Sequence, residues 1–116
     1  LHPPIPDHIL LKPWLPQTAL LAQTNLRLFV SHCGANGAAE FLHHGVNTVC
    51  IPVDLDQPAV AAYLADLELV QKLSLDDLAD PVILRGKLLH ALHTDNPHAR
   101  RAREVAKAIA AEPHPP

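Results

Sequence analysis

A chain of 116 residues has room for one small domain and one modest core. With 48% hydrophobic and 18% charged residues it is globular rather than disordered, and a net charge of −3 leaves no basic surface to hold nucleic acid. No apolar run approaches the roughly 20 residues of a membrane-spanning helix, so no membrane contact is expected within this segment.

The opening LHPPIPDHI, without a methionine, looks like neither a signal peptide nor a natural start, and the chain is expected to be a piece of a longer protein. Pro3, Pro4 and Pro6 forbid a regular helix, so residues 1–8 form an extended leading segment. Ile9-Leu10-Leu11 is a brief strand candidate. Trp14-Leu15-Pro16-Gln17 forms a proline-braced turn, and Thr18 to Gln23 is helical in pattern.

The stretch from Leu26 to Gly45 organises the rest of the chain. A second strand over Leu26–Val30 stops at Ser31-His32, and a small-residue turn runs from Cys33 to Gly37. A helix over 36–44 then carries the apolar stripe Ala38, Phe41, Leu42 and stops at Gly45. Such a junction points a helix N-terminus and its free N–H groups at an anion.

Thr48 to Ile51 is a β-branched third strand closed by Pro52. The polar loop Asp54 to Pro58 leads into a helix over Ala59–Leu67, with Pro58 suited to its first turn. Leu69-Val70 is a further short strand candidate. Ser74 caps a brief helical turn, and two amphipathic helices, Val82–Leu92 and His98–Ala111, are split by Asp95-Asn96-Pro97. Residues 112–116, EPHPP, form a tail. The expectation is a single, partial α/β domain over 1–116: a Rossmann-like parallel sheet with flanking helices.

Cys33 and Cys50 are too few for a disulfide framework, and each adjoins an apolar run, so both are expected as small buried thiols. Nine histidines supply no zinc-type spacing. His43 and His44 fall on different helix faces, and His90/His93 is an isolated i,i+3 pair. No metal site is expected.

Ligands of parallel sheets bind at the carboxyl ends of strands, where Trp14, His32 and Asp54–Gln57 are expected to converge. Each has an ordinary structural reading: a core anchor, a strand-end histidine, a solvated loop. Together they offer more. The Trp14 indole can stack on a planar ring, and Gln17 can both donate and accept at a base edge. His32 can donate to a phosphate. Asn36 can cap the helix or hold the same phosphate. Were Asn36 the cap, a capping box would place its acid at 39, which is alanine. Glu40 is therefore free to pair with His44 or to accept from ribose hydroxyls. Asp56 and Gln57, side by side, suit adjacent sugar hydroxyls.

At these spacings Trp14-x-x-Gln17, Ser31-His-Cys-Gly-Ala-Asn-Gly37, Glu40, His44-Gly45, Ile51-Pro52 and Asp56-Gln-Pro58 closely resemble the donor-binding signature of the UDP-glycosyltransferases, family-1 enzymes with two Rossmann-like domains in a GT-B fold. The window from Trp14 to Gln57 has the length of the family's plant-type signature box, and looser resemblance covers most of the chain. It implies the incomplete C-terminal half of a GT-B fold, binding a UDP-sugar donor without a metal or other cofactor. Trp14 would stack on uracil, and Gln17 or its neighbouring backbone would read the base edge. Glu40 would hold the ribose, and His32, Asn36 and Gly37 the diphosphate. Asp56 and Gln57 would bind the transferred hexose, glucose or glucuronic acid rather than galactose.

Ala35 and Gly37 stand where plant members carry tryptophan and serine, which blends plant-like with animal and microbial features. The resemblance also implies an inverting transfer to an acceptor hydroxyl. The family's histidine general base belongs to an N-terminal acceptor domain that nothing here matches. No residue here is assigned as catalytic, and the chain is expected to be inactive alone, needing that domain in cis or a partner subunit. Two rival readings remain. One is a non-catalytic or split-subunit module, as in the two-subunit dolichol-pathway N-acetylglucosaminyltransferase. The other is a sugar-nucleotide epimerase fragment, against which Trp14-x-x-Gln17 and Asp56-Gln57 argue. Compartment stays open, cytoplasmic if the full chain lacks a signal peptide.

Overall fold

The computed structural model describes residues 3–93 and 95–113. Leu1 and His2 of the leading segment and positions 114–116 of the tail lie outside the described residues. Three short strands, β1 (Phe29–Ser31), β2 (Thr48–Cys50) and β3 (Gln71–Lys72), form a parallel sheet in the order β1-β2-β3. Val30 sits opposite Val49, and Val49 opposite Gln71. Parallel neighbours need crossover connections, and the two helices that supply them are α2 (Ala35–His44) and α3 (Gln57–Asp66). A short α1 (Gln17–Leu21) precedes the sheet; α4 (Leu75–Ala79), α5 (Pro81–Ala91) and α6 (Pro97–Ala111) follow it.

Strand alternation divides the core between two faces. On one, Cys50 and Phe29 meet Phe41 and Ala38 of α2, Ala61 and Leu64 of α3, and Val105 of α6. On the other, Val49, Ile51 and Leu73 meet Leu84, Leu88 and Ala91 of α5. Burial on both faces is what the β-branched run at 48–51 anticipates. α2 ends at Gly45 in the left-handed region (φ 65°), where a Cβ would also come within 2.9 Å of the Ala106 Cβ on α6. Glycine thus satisfies both the turn and the close approach of α6.

Each later helix has an identifiable start. Ser74 and Asp77 form a reciprocal capping box on α4, and Asp80 accepts from the Val82 and Ile83 N–H groups to open α5. Buried Asn96 caps α6 through Ala99 (2.8 Å), while its amide donates to the carbonyls of Ala91 and His93 (2.9 Å each). One side chain therefore closes α5 and opens α6.

The structure corrects several expectations. Ile9–Leu11 forms no strand; the three residues are 49–70% exposed, lie between the prolines at 6 and 13, and are not among the strands of the sheet. The β3 strand begins after Leu69-Val70, which are instead buried in the core. α5 is not cleanly amphipathic, since Val82, Ile83 and Leu89 are exposed.

Cys33 and Cys50 are buried as expected but are not free thiols. They form a disulfide, with Cα atoms 5.6 Å apart. The physical reason is the fold: parallel pairing sets Ser31 beside Cys50, and Cys33, at φ 64°, turns the chain back over the end of β2.

Candidate functional site

The carboxyl ends of β1 and β2 open into a cleft of about 450 Å³ lined by Gln17, Ser31, His32, Ile51 and Val53, among others. Beside it a second cavity of about 620 Å³ is lined by Trp14, Leu20 and Phe29; Gln17 and Phe29 border both. Because Ile9–Leu11 is not a strand, Trp14 reaches this region from an extended segment preceding α1, and its indole is 77% exposed.

Two of the candidate residues touch across a long stretch of chain. The Gln17 amide donates to the Glu40 carboxylate at 3.3 Å, and the Thr18 hydroxyl donates to the same oxygen at 3.3 Å. Glu40 thus faces α1, and the alternative pairing with His44 is not formed; the His44 ring meets His43 edge-on instead, with centroids 4.9 Å apart. Thr18 gives no signal in the sequence because its partner lies 22 positions away and no local pattern links them.

The turn between β1 and α2 has the anticipated shape with a shifted cap. The N-cap is Gly34, in extended backbone, so Asn36 lies inside the first turn and does not cap. The Cys33 N–H donates to the Ser31 hydroxyl at 3.0 Å, a second contact that the sequence did not signal. The first amide to close back is that of Ala38, onto Gly34 at 2.9 Å, which releases the N–H groups of Ala35, Asn36 and Gly37 from intrahelical bonding. His32 and Asn36 are exposed at this end. A Cβ at Gly37 would meet nothing within 4 Å, so the glycine is not demanded by space.

The loop after β2 arrives opposite that turn. An Asp56 carboxylate oxygen accepts the Ala35 N–H at 3.1 Å, and its other oxygen lies 3.8 Å from where a Gly34 Cβ would stand. The Gln57 side-chain oxygen accepts from the Val53 and Asp54 N–H groups, bracing its own loop and leaving the amide nitrogen to donate. Among the described residues no cluster of three metal-ligating side chains exists, and no helix is long and apolar enough to cross a membrane.

A parallel sheet covered by helices on both faces, with a cleft at its strand ends, is a Rossmann-like arrangement. The model of the family described as UDP-glucoronosyl and UDP-glucosyl transferase matches residues 5–97, and the chain belongs to that family. It is 35% identical over 108 residues to oleandomycin glycosyltransferase of Streptomyces antibioticus, covering 93% of this chain and 24% of that one. UDP-glucuronosyltransferase 3A2 of Mus musculus is 58% identical over 45 residues, 39% of this chain and 9% of that one.

Among solved structures, the glycotransferase of kitacinnamycin superposes with a TM-score of 0.79 at 28% identity, over 95% of this chain and 27% of that one. Os79 from O. sativa, solved in complex with U2F and trichothecene, gives 0.72 at 27% identity, over 82% and 23%. The fold is accordingly a portion of the GT-B glycosyltransferase architecture. The chain spans about a quarter or less of the length of each of these relatives.

Proposed function

We propose that this chain is the donor-nucleotide part of an inverting UDP-sugar glycosyltransferase that moves glucose or glucuronic acid to an acceptor hydroxyl. The observation that carries the reading is the meeting of Gln17 and Glu40 beside the strand-end cleft. An acid held by two neutral donors keeps lone pairs to accept from vicinal ribose hydroxyls.

In this reading the Trp14 face stacks on uracil, with backbone near Gln17 at the base edge, and Gln17 with Glu40 grips the ribose. His32, Asn36, Gly37 and the first turn of α2 receive the diphosphate. Asp56 and the free amide nitrogen of Gln57 bind hydroxyls of the hexose.

As the bond to the sugar C1 breaks, negative charge grows on the departing diphosphate. The oriented N–H groups of α2 and the His32 ring stabilise it in place, and no metal or other cofactor is assigned a role. The general base that takes the acceptor proton belongs to an N-terminal acceptor domain, in cis or on a partner subunit. His32 sits on the donor side, and the chain alone is inactive.

Titration of UDP into the wild type and into Glu40→Ala tests the assignment. Loss of the charge-assisted ribose bonds is expected to weaken UDP by about 1–3 kcal/mol, roughly five- to 150-fold. Equal affinity for both proteins would remove Glu40 from the site. Glucosyl transfer from UDP-glucose to a phenol by this chain alone would refute its inactivity.

A further inference from the structure

Asp56 is the N-cap residue of α3, yet its side chain makes no capping bond to that helix. Aspartate is among the strongest N-caps, so this abstention needs a cause. The cause is local: Asp56 stands in helical backbone (φ −77°, ψ −9°) rather than the extended backbone of a capping residue, and Pro58 in the first turn of α3 has no N–H to offer. Freed from its own helix, the carboxylate reaches across to the first N–H of α2. An anion therefore sits against the helix end that the proposed function gives to diphosphate.

We propose that Asp56 alternates between two positions in the reaction cycle, on the α2 N-terminus when no hexose is bound and on the hexose hydroxyls when the intact donor is bound. This inference rests on the donor reading. With UDP-sugar present, the hydroxyls take up the carboxylate and the helix end is left to the diphosphate alone. After transfer the hydroxyls depart, the carboxylate returns to the Ala35 N–H, and its charge competes with and repels the UDP left behind. Asp56 thereby discriminates donor from product and hastens product release. Asp56 is exposed, so its side chain can change partner while Gln57 braces the loop backbone.

The test is calorimetric titration of UDP and of UDP-glucose into the wild type, Asp56→Asn and Asp54→Asn. Asn keeps the shape and the acceptor at 56 but not the charge; Asp54→Asn removes the same charge two positions away. Asp56→Asn is expected to tighten UDP by roughly three- to tenfold while UDP-glucose gains nothing, and Asp54→Asn to leave the ratio of the two ligands unchanged. A second readout is amide hydrogen exchange at Ala35, which should quicken in Asp56→Ala if the contact exists in solution. Wild-type binding of UDP with no tightening in Asp56→Asn, or unchanged Ala35 exchange in Asp56→Ala, overturns this proposal and leaves the donor reading standing. Failure of the wild type to bind either nucleotide refutes the donor reading and this proposal with it.

Discussion

Reducing the Cys33–Cys50 bond should be the most informative single perturbation of this fold. The bond closes a loop of 17 residues that contains the whole of α2, and it ties the turn ahead of that helix to the end of β2. Restricting the unfolded chain over a loop of that length is worth about 3 kcal/mol in the chain-entropy account. For a domain of this size that corresponds to a fall in melting temperature on the order of 10 °C. Both cysteines are fully buried, so Cys50→Ala removes the bond with a cavity no larger than one sulfur and serves as a second route to the same state.

The assay is thermal and urea unfolding of this chain with and without a phosphine reductant, alongside Cys50→Ala, with mass-shift labelling of thiols in denaturant. Non-reduced wild type should show no reactive thiol, and reduced wild type and Cys50→Ala should both melt about 3 kcal/mol less stable. Two reactive thiols in the non-reduced protein, or melts that do not respond to reductant, would refute the pairing.

Gly45→Ala should destabilise by roughly 1–2 kcal/mol from the left-handed backbone alone, and by more once Ala106 is pushed away. Gly86→Ala, on α5 where a Cβ meets nothing within 4 Å, should stabilise by about 0.5–1 kcal/mol in the same urea titration. Asn96→Ala removes the α6 cap, while the Ala91 carbonyl keeps the Asn47 amide and the His93 carbonyl keeps the backbone N–H of residue 96, so it is expected to cost about 1–2 kcal/mol by chemical denaturation. The Ser74 backbone N–H, and then Lys87, hold the Asp77 carboxyl below its ordinary value of 3.8. A carboxyl lowered on folding contributes stability above its unfolded value and loses it as pH falls through the folded one. The advantage of wild type over Asp77→Asn should therefore be constant near neutrality and fall away as pH drops below 3.8, in acid unfolding followed by circular dichroism.

Much of the fold was legible because local chemistry and packing agree there. The run at 48–51, the stop at Gly45 and the cap at Ser74 each need only a few neighbouring residues to be satisfied, and each appears within a residue or two of its expected place. Ile9–Leu11 failed for the opposite reason. Three apolar residues in a row carry a strand pattern, but a strand exists only where another offers its edge, and pattern alone holds no record of that. The disulfide was illegible in the same sense. Nothing in a separation of 17 residues signals pairing; only the register of β1 against β2 brings the two positions together.

The site divides along a similar line. Its glycine turn, the acid at 40 and the acid-amide pair at 56 and 57 are readable because each sits at a fixed offset from a strand end. How they contact one another is not, since each contact spans about twenty residues or more and depends on how α1 and the β2–α3 loop dock on α2. Glu40 shows the difference. Sequence offered it His44 one turn along the same helix, a bond of the kind worth a few tenths of a kcal/mol at a surface. The fold instead supplies two donors from α1 at once. Two neutral donors fix the carboxylate without cancelling its charge, whereas a protonated histidine would neutralise it. For the ribose-holding role proposed here the first arrangement serves better, so the contact that sequence could not show is also the one that fits the proposal for Glu40.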